Sequence, residues 1–271
     1  MKAQIKFAFA VIIALGMNVS IQAQEEGTPD KKESKANSKW RDSFKEVIYE
    51  KDGKTLPYRF LEPVKVEKGK SYPLLVMLHG AKARGNDNKE QLKPYIGEII
   101  RIASEKHQFF MVAPQCPNGK KWVDVSWGAD SHVMPEKPSV PLSMVFDLID
   151  KISKEYPVEP KCIYIAGPSM GGFGVWDAIS RRPEIFAAAI PLCGGGDAAQ
   201  APKLVKLPIW VFHGDTDPTV KTQRSRDMVE AIKKAGGEPK YTEYPGVGHN
   251  CYDQTFSNPE VIEWLFSQSK K

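Results

Sequence analysis

Between residues 72 and 266, short apolar runs alternate with longer amphipathic stretches, and no other feature narrows the fold so far. "YPLLVMLHG", "FFMVAPQ", "KCIYIAG", "IFAAAIPLCGG" and "LPIWVFHG" are apolar at successive positions, as a strand must be when both its faces are covered. "PYIGEIIRIASEK", "SMVFDLIDKISKEY", "TQRSRDMVEAIKKAGG" and "NPEVIEWLFSQ" place apolar residues three and four apart, the spacing of a helix that buries one side; "PKYTEYPG" supplies a further strand. Strands joined through helices of this length run parallel, so the expectation is an α/β fold with a mainly parallel sheet and helices on both faces. Ahead of them, "FKEVIYEKDGKTLPYRFLEP" has two strand-like runs about Asp52-Gly53, a pair suited to a two-residue turn. The sheet therefore gains an antiparallel N-terminal hairpin.

The first residues are of another kind. Lys2 and Lys6 lead into "FAFAVIIALGMNV" and then "SIQA", the pattern of an export signal ending at Ala23. The apolar stretch is short for a membrane span, so contact with a membrane is expected only through this segment if it stays uncleaved. Residues 24–40 begin "QEEGTPDKKESKANSK", which has almost nothing to bury and reads as a solvated tether, with folding from near Trp40. The expected organisation is a signal peptide at 1–23, a tether at 24–40 and one folded domain at 41–271, in a secreted or periplasmic protein. Loss of Lys2 and Lys6 takes the formal charge from +5 to +3. So small and scattered a charge argues against a nucleic-acid partner.

In parallel sheets, sites form where loops leave the carboxyl ends of strands. Those loops here are "HGAKARGNDN", "GPSMGG", "CGGGD" and "HGDTDPTV", rich in glycine and polar groups. Gly167-Pro168-Ser169-Met170-Gly171 fits G-x-S-x-G between a strand and a helix, a turn so tight that residues beside the serine must lack side chains. Its alternative is a glycine-rich turn whose serine caps the helix.

A serine hydroxyl needs a base, and the base needs a carboxylate to orient it. In chains with this turn the order is serine, acid, histidine. His79, His107 and His132 precede Ser169, and His213 has no suitable strand-end acid between it and the serine. His249, in the glycine-containing loop "YPGVGHNCYD", remains as the base. Asp217 is chosen as the acid with Asp215 in reserve, since spacing does not separate them. The backbone N–H groups of Met170 and of Ala81 are the candidate oxyanion donors. His79 reads as a brace for the Ala81 loop rather than a proton carrier.

Taken together, "LHGAKARGNDN", "APQCP", "IAGPSMGGFGVWDA", "PLCGGGD", "FHGDTDPTV" and "GVGHNCYD" resemble secreted bacterial α/β-hydrolases of the esterase group, related to polyhydroxybutyrate depolymerases and prolyl-oligopeptidase-type hydrolases. The resemblance spans roughly residues 43–268. It implies an α/β-hydrolase catalytic domain acting as a serine esterase, with Ser169, Asp217 and His249 matching the family's triad and Ala81 and Met170 its oxyanion donors. It also favours Asp217 over Asp215. The chain departs from the family at Lys82-Ala83-Arg84-Gly85, where Gly-Glu-Arg-Gly is usual, and at Tyr252, where Trp is usual. Relatives that act on plant polysaccharides make acetyl or feruloyl esters of carbohydrates the expected substrate class. A prolyl-oligopeptidase-type peptidase and a non-catalytic binding protein on the same fold are the alternatives.

Trp122 and Trp127, in the polar loop "KKWVDVSWGADSH", are candidates for a substrate wall, while Trp176 belongs to the core. No metal or cofactor is expected: the four cysteines are not closely spaced and no two histidines stand four apart on a helix. A Cys193–Cys251 bridge is one pairing an oxidising compartment would allow, tying the His249 loop to the sheet.

Overall fold

Eight strands form a single sheet in the order β1-β2-β4-β3-β5-β6-β7-β8. β1 (Lys45–Lys51) and β2 (Lys54–Leu61) make the N-terminal hairpin, and β2 pairs antiparallel with β4 (Phe110–Pro114). β3 (Tyr72–Met77), β5 (Val158–Pro168), β6 (Ala188–Leu192), β7 (Trp210–Gly214) and β8 (Lys240–Tyr244) continue the sheet in parallel. This is the α/β-hydrolase arrangement. The hairpin turns at Asp52 and Gly53, both with positive φ (52° and 68°), as a two-residue turn matched to the twist of its strands requires.

The structure is a computed structural model that describes residues 39–270. The expected signal peptide and residues 24–38 of the expected tether lie outside the described residues. Lys39 and Trp40, assigned to the tether from sequence, instead open a 3-10 turn, Lys39–Ser43. Trp40 meets Phe44 edge-on at 6.2 Å and lies over Gly97, where any Cβ would collide with its indole at 2.5 Å. A large aromatic ring gains more by covering helix surface than by staying in water, so Trp40 belongs with the folded residues, in line with folding from near that position.

Each buried strand serves two cores. Leu74, Val76 and Leu78 face one and Leu75 and Met77 the other; Ile163 and Ile165 alternate in the same way with Tyr164 and Ala166. α2 (Val140–Glu155), α3 (Met170–Arg181) and α4 (Gln223–Lys234) cover the first face. α1 (Pro94–Ala103) and α6 (Pro259–Phe266), with the short α5 (Tyr252–Phe256), cover the second. Ser139 caps α2 by accepting the Leu142 N–H at 3.2 Å, and Asn258 caps α6. No described helix is long and apolar enough to cross a membrane.

The strand order positions the site. From β3 the chain moves outward to β4, then returns to place β5 on the other side of β3. The loops leaving β3 and β5 therefore diverge, and a crevice opens between them at the carboxyl edge of the sheet.

Candidate active site

Ser169 stands at that crevice, immediately after β5, with φ 55° and ψ −122°. A non-glycine residue in this region is strained and persists only where the surroundings over-determine it. They do so here by close packing of backbone. A Cβ on Gly171 would lie 1.9 Å from the Leu78 carbonyl oxygen, and one on Gly167 would lie 2.4 Å from the same atom. The Ser169 N–H donates to the Leu192 carbonyl at 2.9 Å, anchoring the turn to β6. α3 thus starts against β3 and β6 with the serine hydroxyl projecting at its tip.

The structure brings the three candidate residues together. His249 Nε2 lies 2.8 Å from Ser169 Oγ, and His249 Nδ1 lies 2.7 Å from Asp217 Oδ2. Asp217 is in the loop after β7 and its carboxylate is fully buried. The His249 loop reaches it because β7 ends in Gly214, where a Cβ would strike the Val247 and Gly248 carbonyls at 2.1 and 2.3 Å. The reserve, Asp215, is engaged elsewhere: its Oδ1 accepts the Gly246 N–H at 2.7 Å, which fastens the base of the same loop.

Burial alone would raise the Asp217 pKa, but hydrogen bonds from His213 and His249 outweigh it and hold the carboxyl well below the usual carboxylate range. Oδ1 also accepts the N–H groups of Thr219 (2.8 Å) and Val220 (3.0 Å). Asp217 is thus an ionised acceptor throughout the neutral range. His213, set aside from sequence as a base, is its second imidazole neighbour, 3.1 Å from Oδ2. Its position four residues before Asp217 was the available signal.

Met170 is the first residue of α3, so its N–H is among those that an α-helix leaves without an internal acceptor. Ala81 opens the 3-10 turn Ala81–Ala83, and a Cβ on the preceding Gly80 would lie 3.6 Å from that of Ser169. Both candidate oxyanion donors therefore lie on elements that border the hydroxyl. At the Lys82-Ala83-Arg84-Gly85 departure, the loop is held by a hydrogen bond from its own Arg84 and by two with the segment after β4. Arg84 Nε donates to the Ala81 carbonyl (2.9 Å), Gln115 Nε2 to the Ala83 carbonyl (3.2 Å), and the Gly85 N–H to the Cys116 carbonyl (3.0 Å).

His79 sits behind this loop as a brace. Its Nδ1 lies 2.7 Å from the Gly80 carbonyl, and its Nε2 accepts the Cys116 N–H at 2.9 Å, which assigns the proton to Nδ1. Burial pushes its pKa down to about 4, so the ring is neutral at pH 7.

Trp122 corrects an expectation. It is fully buried (0% exposed), donates its indole N–H to the His79 carbonyl at 3.0 Å, and closes over Gly174, so it is a wall of the core and not of a substrate cleft. The polarity of its loop misled because Asp124 and Ser126 turn outward while Trp122 and Val123 fold in. Trp127 is only partly buried, with the Lys121 ammonium 4.8 Å and the Arg84 guanidinium 5.8 Å from its ring centre. Trp176 is in the core.

All four cysteines are free thiols, and those of Cys193 and Cys251 are hydrogen-bonded neighbours beneath His249. Burial pushes the Cys193 pKa well up. Cys193, Asp217 and His249 offer three ligand atoms within 4.8 Å, but the carboxylate and imidazole are committed to each other and the sulfur is held as a thiol. The cluster is better matched to proton transfer than to a cation.

Comparison with known proteins agrees with this fold. The dienelactone hydrolase family model matches residues 132–260, a span that includes Ser169, Asp217 and His249. A bifunctional acetylxylan esterase/xylanase of Neocallimastix patriciarum is 28% identical over 156 residues, 56% of this chain and 20% of that protein. Poly(3-hydroxyalkanoate) depolymerase C of Paucimonas lemoignei is 24% identical over 230 residues, 70% of this chain and 47% of that protein. The chain thus spans less than half the length of either. Among solved structures, a thermostable esterase superposes with TM-score 0.79 at 39% identity, covering 85% of this chain and 64% of that one. A ferulic acid esterase shares the fold at TM-score 0.61 and 18% identity, covering 82% of this chain and 98% of that one. With the sheet order, these likenesses show an α/β-hydrolase fold, and the chain is similar to esterases that share it.

Proposed function

We propose that this protein hydrolyses carboxylic esters through an acyl-enzyme on Ser169. The observation that carries the reading is the unbroken relay from Ser169 Oγ through His249 to Asp217, at 2.8 and 2.7 Å. His249 Nε2 takes the hydroxyl proton as Oγ attacks the ester carbonyl, and Asp217 stabilises the imidazolium that results. The N–H groups of Met170 and Ala81 stabilise the oxyanion. Collapse of the adduct expels the alcohol, which receives the proton from His249; water, activated by the same imidazole, then releases the acid and restores Ser169.

The proposed substrates are short-acyl or feruloyl esters of carbohydrates, met outside the cytoplasm by a protein exported through residues 1–23. The acetylxylan esterase relative and the ferulic acid esterase likeness favour that class. Trp127 is the aromatic surface left for a sugar or phenolic ring once Trp122 is assigned to the core. Purified protein should cleave aryl acetates and acetylated or feruloylated sugars, with prolyl peptide amides cleaved far more slowly, and Ser169→Ala should abolish turnover while the melting curve stays unchanged. Near-normal turnover in that variant refutes the nucleophile assignment. Comparable kcat/KM on a prolyl amide and an aryl acetate makes the protein a peptidase instead.

A further inference from the structure

Asp217 is served by two imidazoles, and the reaction just described uses only one. His213 is wholly buried at the end of β7, and its Nε2 faces Asp217 Oδ2 at 3.1 Å and the Val220 carbonyl at 3.0 Å. A carbonyl and an ionised carboxylate can only accept, so Nε2 must carry a proton. On the other side of the ring, Nδ1 lies 2.7 Å from Ser225 Oγ, a buried hydroxyl in the first turn of α4. Ser225 Oγ also lies 3.3 Å from the Gly194 carbonyl, but the shorter contact to Nδ1 takes its single proton, which leaves Nδ1 as the acceptor and selects the Nε2–H tautomer.

We propose that His213 is a positioning residue for the triad, held as the Nε2–H tautomer by Ser225, and that it fixes and shares the Asp217 oxygen on which His249 depends. The proposal rests on the Ser169–His249–Asp217 reading and adds a fourth side chain to it. Backbone N–H groups hold Oδ1. Among the described residues no backbone N–H donates to Oδ2, and two imidazoles approaching from β7 and from the His249 loop define its direction. His213 also draws off part of the charge that Oδ2 presents to His249. Without it, that charge acts on His249 alone and favours the imidazolium, which moves the acidic limb of kcat/KM to higher pH.

The other titratable groups around the two rings come from each neighbouring element. Cys193 follows β6, and Cys251 follows His249 in the same loop. Asp215 lies exposed and bound to Gly246, and Glu243 of β8 is paired with Arg226 of α4 and bonded to Tyr241. None of them donates a hydrogen bond to Asp217 Oδ2, so none replaces His213.

The test uses His213→Gln, His213→Leu and Ser225→Ala, with kcat and KM for an aryl acetate followed from acidic to mildly alkaline pH. Glutamine can place an amide N–H near the former Nε2, whereas leucine fills space without a donor. His213→Leu should lose about tenfold or more in kcat with little change in KM, the scale of one hydrogen bond to a charged group. Its acidic limb should move to higher pH. His213→Gln should recover most of the rate and the original limb, and Ser225→Ala should move both in the direction of leucine by less. Wild-type kcat and pH profile in either His213→Leu or Ser225→Ala overturns the proposal. Equal losses in the glutamine and leucine variants with an unmoved limb do so too. Imidazole 15N resonances of the wild-type protein provide a readout that needs no turnover: they should show His213 protonated at Nε2, and a bare Nε2 refutes the assignment. Should the wild type cleave no ester at all, the esterase reading fails while these resonances still decide the state of His213.

Discussion

Protonation of His79 should unfasten the oxyanion loop and cost stability as pH falls. The ring is 2% exposed, and burial takes its pKa from 6.5 to about 4. Between those values the unfolded chain binds a proton that the native protein excludes, so native stability falls as pH drops from 6.5 toward 4 and is fully retained above 6.5. A displacement that large corresponds to about 3 kcal/mol in total, of which roughly 2 kcal/mol is lost by pH 5. The perturbation that isolates it is His79→Gln, whose side-chain oxygen can accept the Cys116 N–H but does not titrate. Urea unfolding of both proteins at several pH values between 7 and 5 should give wild-type stability falling more steeply than the variant by about 2 kcal/mol. His132, which burial and then Arg224 push down to about 4, contributes to both proteins and cancels in the difference. Parallel pH dependence of the two proteins would refute the claim that His79 is held neutral, whatever the absolute cost of the substitution at pH 7.

Asp217→Asn should lower kcat by roughly 10³ to 10⁴, because an amide cannot accept from both imidazoles and stabilise a cation, whereas Asp215→Asn retains an oxygen for Gly246 and should change little; steady-state kinetics giving the reverse ranking would move the acid role to Asp215. Gly171→Ala should destabilise by about 3 kcal/mol or more, since its Cβ would lie 1.9 Å from the Leu78 carbonyl oxygen and no flexible side chain can yield; a wild-type denaturation midpoint would show the turn to be looser than described. Thiol titration should find four reactive groups in denaturant without reductant, but at most Cys162 reacting readily in the native protein, since Cys116, Cys193 and Cys251 are buried; two missing thiols in denaturant would mean that Cys193 and Cys251 are bridged.

The order of strands and helices was legible in the chain because each buried strand must be apolar at consecutive positions and each covering helix at every third or fourth. The nucleophile turn was legible for a related reason: the clash between a Cβ at 167 or 171 and the Leu78 carbonyl leaves glycine the residue that fits, so the geometry is written in composition. The short helix α5 and the 3-10 turn Ala198–Leu204 were not, since segments of 5 and 7 residues carry too few turns to show a period. What the linear pattern could not reach was the direction of individual side chains within loops. Asp215 and Asp217 differ by two positions and look alike in sequence, yet one faces the Gly246 turn and the other lies between two imidazoles. Trp122 and Trp127 share one polar loop, and only the folded chain sends the first beneath His79 and leaves the second at the surface. His213 was dismissed because chain order ruled it out as the base, whereas packing of α4 against the end of β7 makes it a neighbour of the acid. Sequence determined the scaffold and singled out Ser169 and His249 as candidates, through periodicity, steric necessity and chain order. Tertiary structure alone decided which rings meet Asp217, the carboxylate that the resemblance favoured, because hydrogen bonds between distant loops depend on where the sheet brings the chain back and leave no repeat along it.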